Sequence, residues 1–264
     1  MEKKDVWARG DLYEPYVGRW SRLVAKEFLE WVNSLPGLRW LDVGSGSGAL
    51  SQTILTLCDP SRVRGIDRSE EFVEYARMKV LDPRVTFETG DAQSLPVDDN
   101  EFGAAVSGLV LNFVPEPDKM VSEMRRAVVD GGIVALYVWD YADKMQFMRH
   151  FWDAAAALDP AARELDEGPR FPVCNPDALC ELFQKVGLND IETRPIDIET
   201  RFKDFDDYWN PFLGGQGPAP AYAMSLSEEK RVELREKIRE VLPIEEDGSI
   251  PLIARAWGIK AIKS

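Results

Sequence analysis

Apolar positions along the chain alternate between short continuous runs and stripes at helical spacing. Leu38, Trp40, Leu41 and Val43 make a run that leads into three glycines at alternate positions, WLDVGSGSG from Trp40 to Gly48. Leu50, Ile54 and Leu57 then recur at i, i+4 and i+7. The pattern predicts a buried parallel strand, a sharp turn and a helix beginning at about Ala49. The same alternation continues. Arg62 to Asp67 reads as a second strand, and Ser69 caps a helix with Glu70 and Glu71 in its first turn and Phe72, Ala76 and Val80 inward. Arg84 to Glu88 and Phe102 to Ser107 read as the third and fourth strands. Pro117 opens a helix whose stripe of Met120, Val121, Met124, Ala127 and Val128 runs up to Gly131 and Gly132. Ile133 to Trp139 is a fifth, nearly continuous apolar strand.

The flanks fit less regular patterns. Asp11 to Trp31 starts aromatic and turns helical before the first strand. After the fifth strand comes an aromatic, alanine-rich helix with the only histidine, His150, among Phe147, Phe151 and Trp152; its surroundings favour a core role over that of a general base. Asn175 and Pro176 open another helix, with Leu179, Leu182, Phe183 and Val186 inward and Gly187 as its stop. Ile191 to Thr200 and Pro251 to Ile262 pair as a terminal hairpin. Between them, residues 202–248 form an insertion with a charged helix from Ser227 to Val241. Tyr208, Trp209, Phe212 and Tyr222 make that insertion too aromatic for a linker. It has two uses open to it, a lid over a ligand or packing on the sheet edge. The whole, residues 1–264, is expected to be one α/β domain, with residues 11–36 as an N-terminal helical cap and 202–248 as the lid-like insertion.

The glycines set the chemistry. Gly44, Gly46 and Gly48 free the backbone to turn and leave no side chain in a ligand's way, while the helix that follows offers unpaired N–H groups to a polar ligand end. Gly44, Gly46 and Ala49 also satisfy the dinucleotide pattern G-x-G-x-x-A, with Asp67 where a ribose-binding acid belongs, so a nicotinamide oxidoreductase is permitted by the glycines alone. Asp42 disfavours that reading and leaves it as the less favoured alternative. Two residues before the first glycine, its charge repels a pyrophosphate and attracts a cationic ligand end, which favours a cofactor bearing an amino acid. Asp67 ends the second strand, where open α/β sheets bind ligands and a carboxylate can accept from both ribose hydroxyls. In GDA, Gly90 to Ala92, the Asp91 carboxylate suits an adenine amino group and the Ala92 N–H a ring nitrogen.

Composition removes several partners. A net charge of −14 argues against nucleic acid, whose binding depends on basic side chains meeting phosphates. Cys58, Cys174 and Cys180 are odd in number and form no C-x-x-C pair, so neither a disulfide framework nor a zinc site is expected, and the chain reads as cytoplasmic. No run approaches the roughly 20 apolar residues of a membrane span.

LDVGSGSG, then GIDRS from Gly65 to Ser69, then GDAQSLP from Gly90 to Pro96, resembles the class I S-adenosylmethionine-dependent methyltransferases, and among them the small-molecule branch called methyltransferase type 11. The three motifs cover Leu38 to about Val138 in the family's order. The resemblance implies a Rossmann-like three-layer sandwich around a mostly parallel seven-stranded sheet with an antiparallel terminal strand. It implies S-adenosyl-L-methionine as cofactor, S-adenosyl-L-homocysteine as product, and a small, partly apolar methyl acceptor. Asp42, Gly44, Gly46, Gly48, Asp67, Arg68, Asp91, Ala92 and Ser107 would hold the cofactor. Tyr16, Arg19, Trp20, Asn112, Trp139, Trp209 and Phe212 are the acceptor candidates. Asn112 and Phe113 stand where many relatives carry a histidine pair, so no catalytic base is assigned, and a non-catalytic cofactor-binding protein remains an alternative. No metal is called for.

Overall fold

The computed structural model describes residues 18–214 and 217–264. Tyr16 and the first part of the N-terminal cap lie outside them. The apolar run forms β1 (Arg39–Val43), which pairs in parallel with β2 (Arg62–Asp67) on one side and β4 (Phe102–Gly108) on the other. β3 (Val85–Thr89) extends the sheet beyond β2, and β5 (Val128–Trp139) extends it beyond β4, both in parallel. The terminal hairpin is β6 (Asn189–Phe202) and β7 (Ile250–Ile262). All seven strands share one sheet in the order β3-β2-β1-β4-β5-β7-β6. Gly131 N–H donates to Lys263 O and Asp140 N–H to Arg255 O, at 2.7 and 2.9 Å, so residue numbers on β7 fall as those on β5 rise. That strand is therefore antiparallel, as the resemblance implies.

Helices follow the predicted starts closely. α1 (Arg19–Val32) precedes β1, and α2 (Ala49–Leu57) begins at the residue after the last glycine of the turn. In α3 (Glu70–Lys79) the Ser69 hydroxyl accepts from the Phe72 N–H, as a cap should, but Val73 rather than Phe72 faces the core with Ala76. α4 (Pro117–Ala127) stops four residues short of the predicted glycine pair, since Val128 already belongs to β5. An apolar residue fits a helix stripe and a strand equally, and here the pairing of Val128 with Phe102 wins.

The described chain falls into two compact units. The first comprises Ser21–Val138, Val173–Ile196 and Ala256–Ser264, and so holds the five parallel strands, α2 to α4 and the motif residues. Its core includes the fully buried Trp40, and Phe28 of α1 lies 4.7 Å from the Tyr137 ring. The second unit takes the described residues up to Trp20 together with Trp139–Pro172 and Asp197–Arg255. Here the insertion meets α5 (Gln146–Leu158). Phe147 and Phe151 pack within 4.6 and 4.5 Å of Phe212, and the Tyr208 hydroxyl donates to the Phe147 carbonyl at 2.8 Å. Tyr208 and Phe212 are fully buried and Trp209 nearly so, which makes these rings the core of the second unit. No helix among the described residues is long and apolar enough to cross a membrane.

Candidate active site

The glycine turn is held by a carboxylate from the neighbouring strand. Asp67 accepts from the Gly46 N–H at 2.8 Å through one oxygen and from the Ser69 N–H at 2.9 Å through the other. Gly44 and Ser45 both donate to the Ile66 carbonyl, which fixes the turn to the end of β2. Gly44 has φ +74°, and a Cβ there would stand 2.5 Å from the Val110 side chain. Gly46 differs: nothing lies within 4 Å of its missing Cβ, so this part of the turn faces open space. Burial raises the Asp67 pKa despite the two backbone donors, and a carboxylate with spare lone pairs remains able to accept from hydroxyls.

Asp42 is fully buried at the end of β1. One oxygen accepts from the Ser51 hydroxyl of α2 at 2.6 Å; the other has no partner. Burial pushes its pKa up to about 7, the Ser51 hydrogen bond opposing and the Asp67 charge adding to the rise. A buried carboxylate oxygen left without a donor is a standing penalty that a cationic ligand end removes. Ser107, on β4 beside the residue that pairs with Asp42, is also buried with its hydroxyl unpartnered, as is the Ser45 hydroxyl in the turn.

The adenine candidates are more open. The Asp91 carboxylate accepts from the Gln93 N–H at 2.9 Å and closes the GDA turn, with Asp91 itself exposed. Arg68 is exposed and Ala92 half-buried. Beyond β4 the chain passes through Leu109 at φ +63°, a left-handed conformation that a leucine adopts only at a cost of about 1–2 kcal/mol. Asn112 follows in a short 3-10 turn, Leu111–Phe113, with both polar atoms of its amide buried and unpartnered. Sequence reasoning found Asn112 but had no signal for the strain at Leu109 or for Ser51 as the partner of Asp42.

The remaining acceptor candidates lie in the second unit. Arg19 donates through Nη1 to Asp207 at 2.9 Å, with its guanidinium 4.4 Å from the Trp20 ring and 4.7 Å from that of Phe202. Trp139, Trp209 and Phe212 are buried. His150 is half-buried in α5, and burial lowers its pKa against the opposing charge of Asp153. No cluster of three metal-ligating side chains occurs among the described residues.

Five parallel strands whose first ends in a glycine turn, with acids at the ends of β1 and β2, make the frame of a nucleoside-cofactor-binding α/β protein. The comparisons agree. A family model described as a methyltransferase domain matches residues 41–136. Demethylmenaquinone methyltransferase of Desulfitobacterium hafniense is 31% identical over 186 residues, which is 64% of this chain and 72% of that protein. An uncharacterised 37.1 kDa protein of transposon TN4556 in Streptomyces fradiae is 38% identical over 42% of this chain, and the match spans only 33% of that protein. Among solved structures, a phosphoethanolamine N-methyltransferase from Haemonchus contortus shares the fold with a TM-score of 0.59 at 18% identity, covering 96% of this chain and 56% of that one. The chain belongs to the class I S-adenosylmethionine-dependent methyltransferases. Its residues suit that cofactor: Gly46 opens onto space, and Asp42 keeps a buried oxygen free for an ammonium group.

Proposed function

We propose that this enzyme transfers a methyl group to a small, partly apolar metabolite by in-line displacement. S-adenosylmethionine, when bound, supplies a methyl carbon activated by the neighbouring positive sulfur. The observation that carries this reading is the free, buried oxygen of Asp42, which suits the ammonium of an amino-acid cofactor and repels the pyrophosphate of a dinucleotide. Asp67 takes the ribose hydroxyls, Asp91 and Ala92 the adenine edge, and Gly44, Gly46 and Gly48 let the backbone approach. Ser107 holds the amino-acid end beside Asp42.

In-line displacement asks the protein mainly to align nucleophile and methyl carbon and to exclude water, so no base or metal is required where the acceptor is already nucleophilic. Asn112 fits that demand. Its free amide offers a donor and an acceptor at once, and it orients an acceptor without moving a proton. The relatives include proteins named as quinone-biosynthesis methyltransferases, which supports a flat apolar acceptor. Titration calorimetry against S-adenosylmethionine, S-adenosylhomocysteine and NAD tests the cofactor reading. Saturable heat from the first two alone is expected; heat from NAD alone overturns the assignment.

A further inference from the structure

Three side chains of the second unit, Arg19, Trp20 and Thr200, hold buried hydrogen-bonding atoms without partners. Arg19, at the start of α1, lies with its guanidinium over the rings of Trp20 and Phe202, which themselves meet edge-on at 5.6 Å. Asp207 takes Nη1 only, and its other carboxylate oxygen is occupied by the Lys203 N–H. Nε and Nη2 are buried and unpartnered. Those two nitrogens share one edge of the guanidinium plane, the edge that meets a carboxylate with two parallel hydrogen bonds. The Trp20 and Phe202 rings lie against the guanidinium, Asp207 holds the tip, and the fork has no acceptor.

Two further groups are left in the same state. The indole N–H of Trp20 has no acceptor, although the residue is only 8% exposed. Thr200 is fully buried with its hydroxyl unpartnered. It stands two residues before Phe202 on β6, and the alternating burial of that strand puts both on one face. An Arg fork and an indole N–H offer donors only, the Thr200 hydroxyl can donate as well as accept, and buried polar groups are rarely left without partners.

We propose that Arg19, Trp20 and Thr200 form a binding site for a flat organic carboxylate. The carboxylate lies in the guanidinium plane, and the ligand's apolar body meets the aromatic rings of the same cluster. Asp207 already balances the Arg19 charge, so the fork offers two coplanar hydrogen bonds rather than an unpaired charge, which favours a monoanionic carboxylate over a phosphate. The shared chemistry, a carboxylate, has two sources: a separate organic acid and the amino-acid tail of the cofactor. The site is assigned to the separate acid, and binding is measured without turnover.

Benzoate is the probe and benzamide its neutral counterpart, each titrated calorimetrically into the full chain. Saturable binding of benzoate at millimolar concentration, with none of benzamide, is expected. Arg19→Lys keeps the charge for Asp207 but lacks the fork, and is expected to weaken benzoate roughly tenfold or more. Thr200→Val, of equal volume, and Trp20→Phe are expected to weaken it less while the melting temperature holds. S-adenosylhomocysteine and methylthioadenosine, which differ by the amino-acid tail, separate the two sources. If Arg19→Lys weakens the first and spares the second, the carboxylate is the cofactor's and the assignment falls. It falls equally if wild-type protein does not bind benzoate, or if Arg19→Lys binds it unchanged.

Discussion

Asp42 carries a conflict that a single substitution exposes. Its pKa of about 7 stands above the ordinary 3.8, so in the fold it keeps a proton that the unfolded chain releases. The stability this proton brings is fully present below about pH 4 and is lost as the pH rises through about 7. Asp42→Asn therefore melts higher than the wild type, by a margin that grows between those values and is constant above them; thermal scans at pH 5 and 8 measure it. With Asp42 in its proposed role, cofactor binding runs the other way, because an ammonium needs the ionised acid. With a pKa of about 7, Asp42 is mostly ionised at pH 7.5 and mostly protonated at pH 5.5, so affinity is expected to fall by roughly tenfold or more between them. The Asn variant binds weakly at both. From the sequence, Asp42 was legible because its place before Gly44 is a local signal. Ser51, Leu109 and Thr200 were not, since a hydrogen bond across elements, a backbone angle and a missing partner leave no trace in spacing.

At the level of elements, periodicity told most of the story because each strand and helix of the parallel sheet buries one apolar face. β2 and the start of α2 fall where the pattern puts them. The α4–β5 junction does not, since Val128 satisfies both periods and only its partner on β4 decides. The glycine turn is an element in its own right, and Gly44 is its least replaceable residue. A Cβ there faces two obstacles, a left-handed φ and the Val110 side chain at 2.5 Å. Gly44→Ala is expected to weaken S-adenosylhomocysteine by at least about 1–2 kcal/mol, since the turn must shift to admit the methyl group. Calorimetry on the folded variant checks it, and unchanged affinity would return the turn to a purely structural part. The aromatic insertion was readable as ordered but not as the companion of α5, whose rings precede it in sequence by some fifty residues.

Across the whole molecule, buried acids give stability a direction with pH. Glu167, buried in the second unit, also has a pKa of about 7, raised chiefly by burial against the opposing pull of its own backbone, the Trp152 indole N–H and the Arg170 charge. Like Asp42, it stabilises most below its ordinary 4.5 and loses that contribution as the pH passes about 7. Glu167→Gln keeps the acceptor for Trp152, so it is expected to melt above the wild type at pH 8 and close to it at pH 5; calorimetric scans at the two pH values test this. Asp197, whose pKa is lowered by Arg255, works oppositely and loses its contribution only on strong acidification. Leu109 shows what such features mean for anyone breeding a hardier version of this protein. A screen that rewards heat resistance alone favours residues at ease in a left-handed backbone, and among the described residues Leu109 is the one at positive φ that is neither glycine, asparagine nor aspartate. Winners of that screen would need a separate check on methyl transfer, because the residue they discard stands three positions before Asn112.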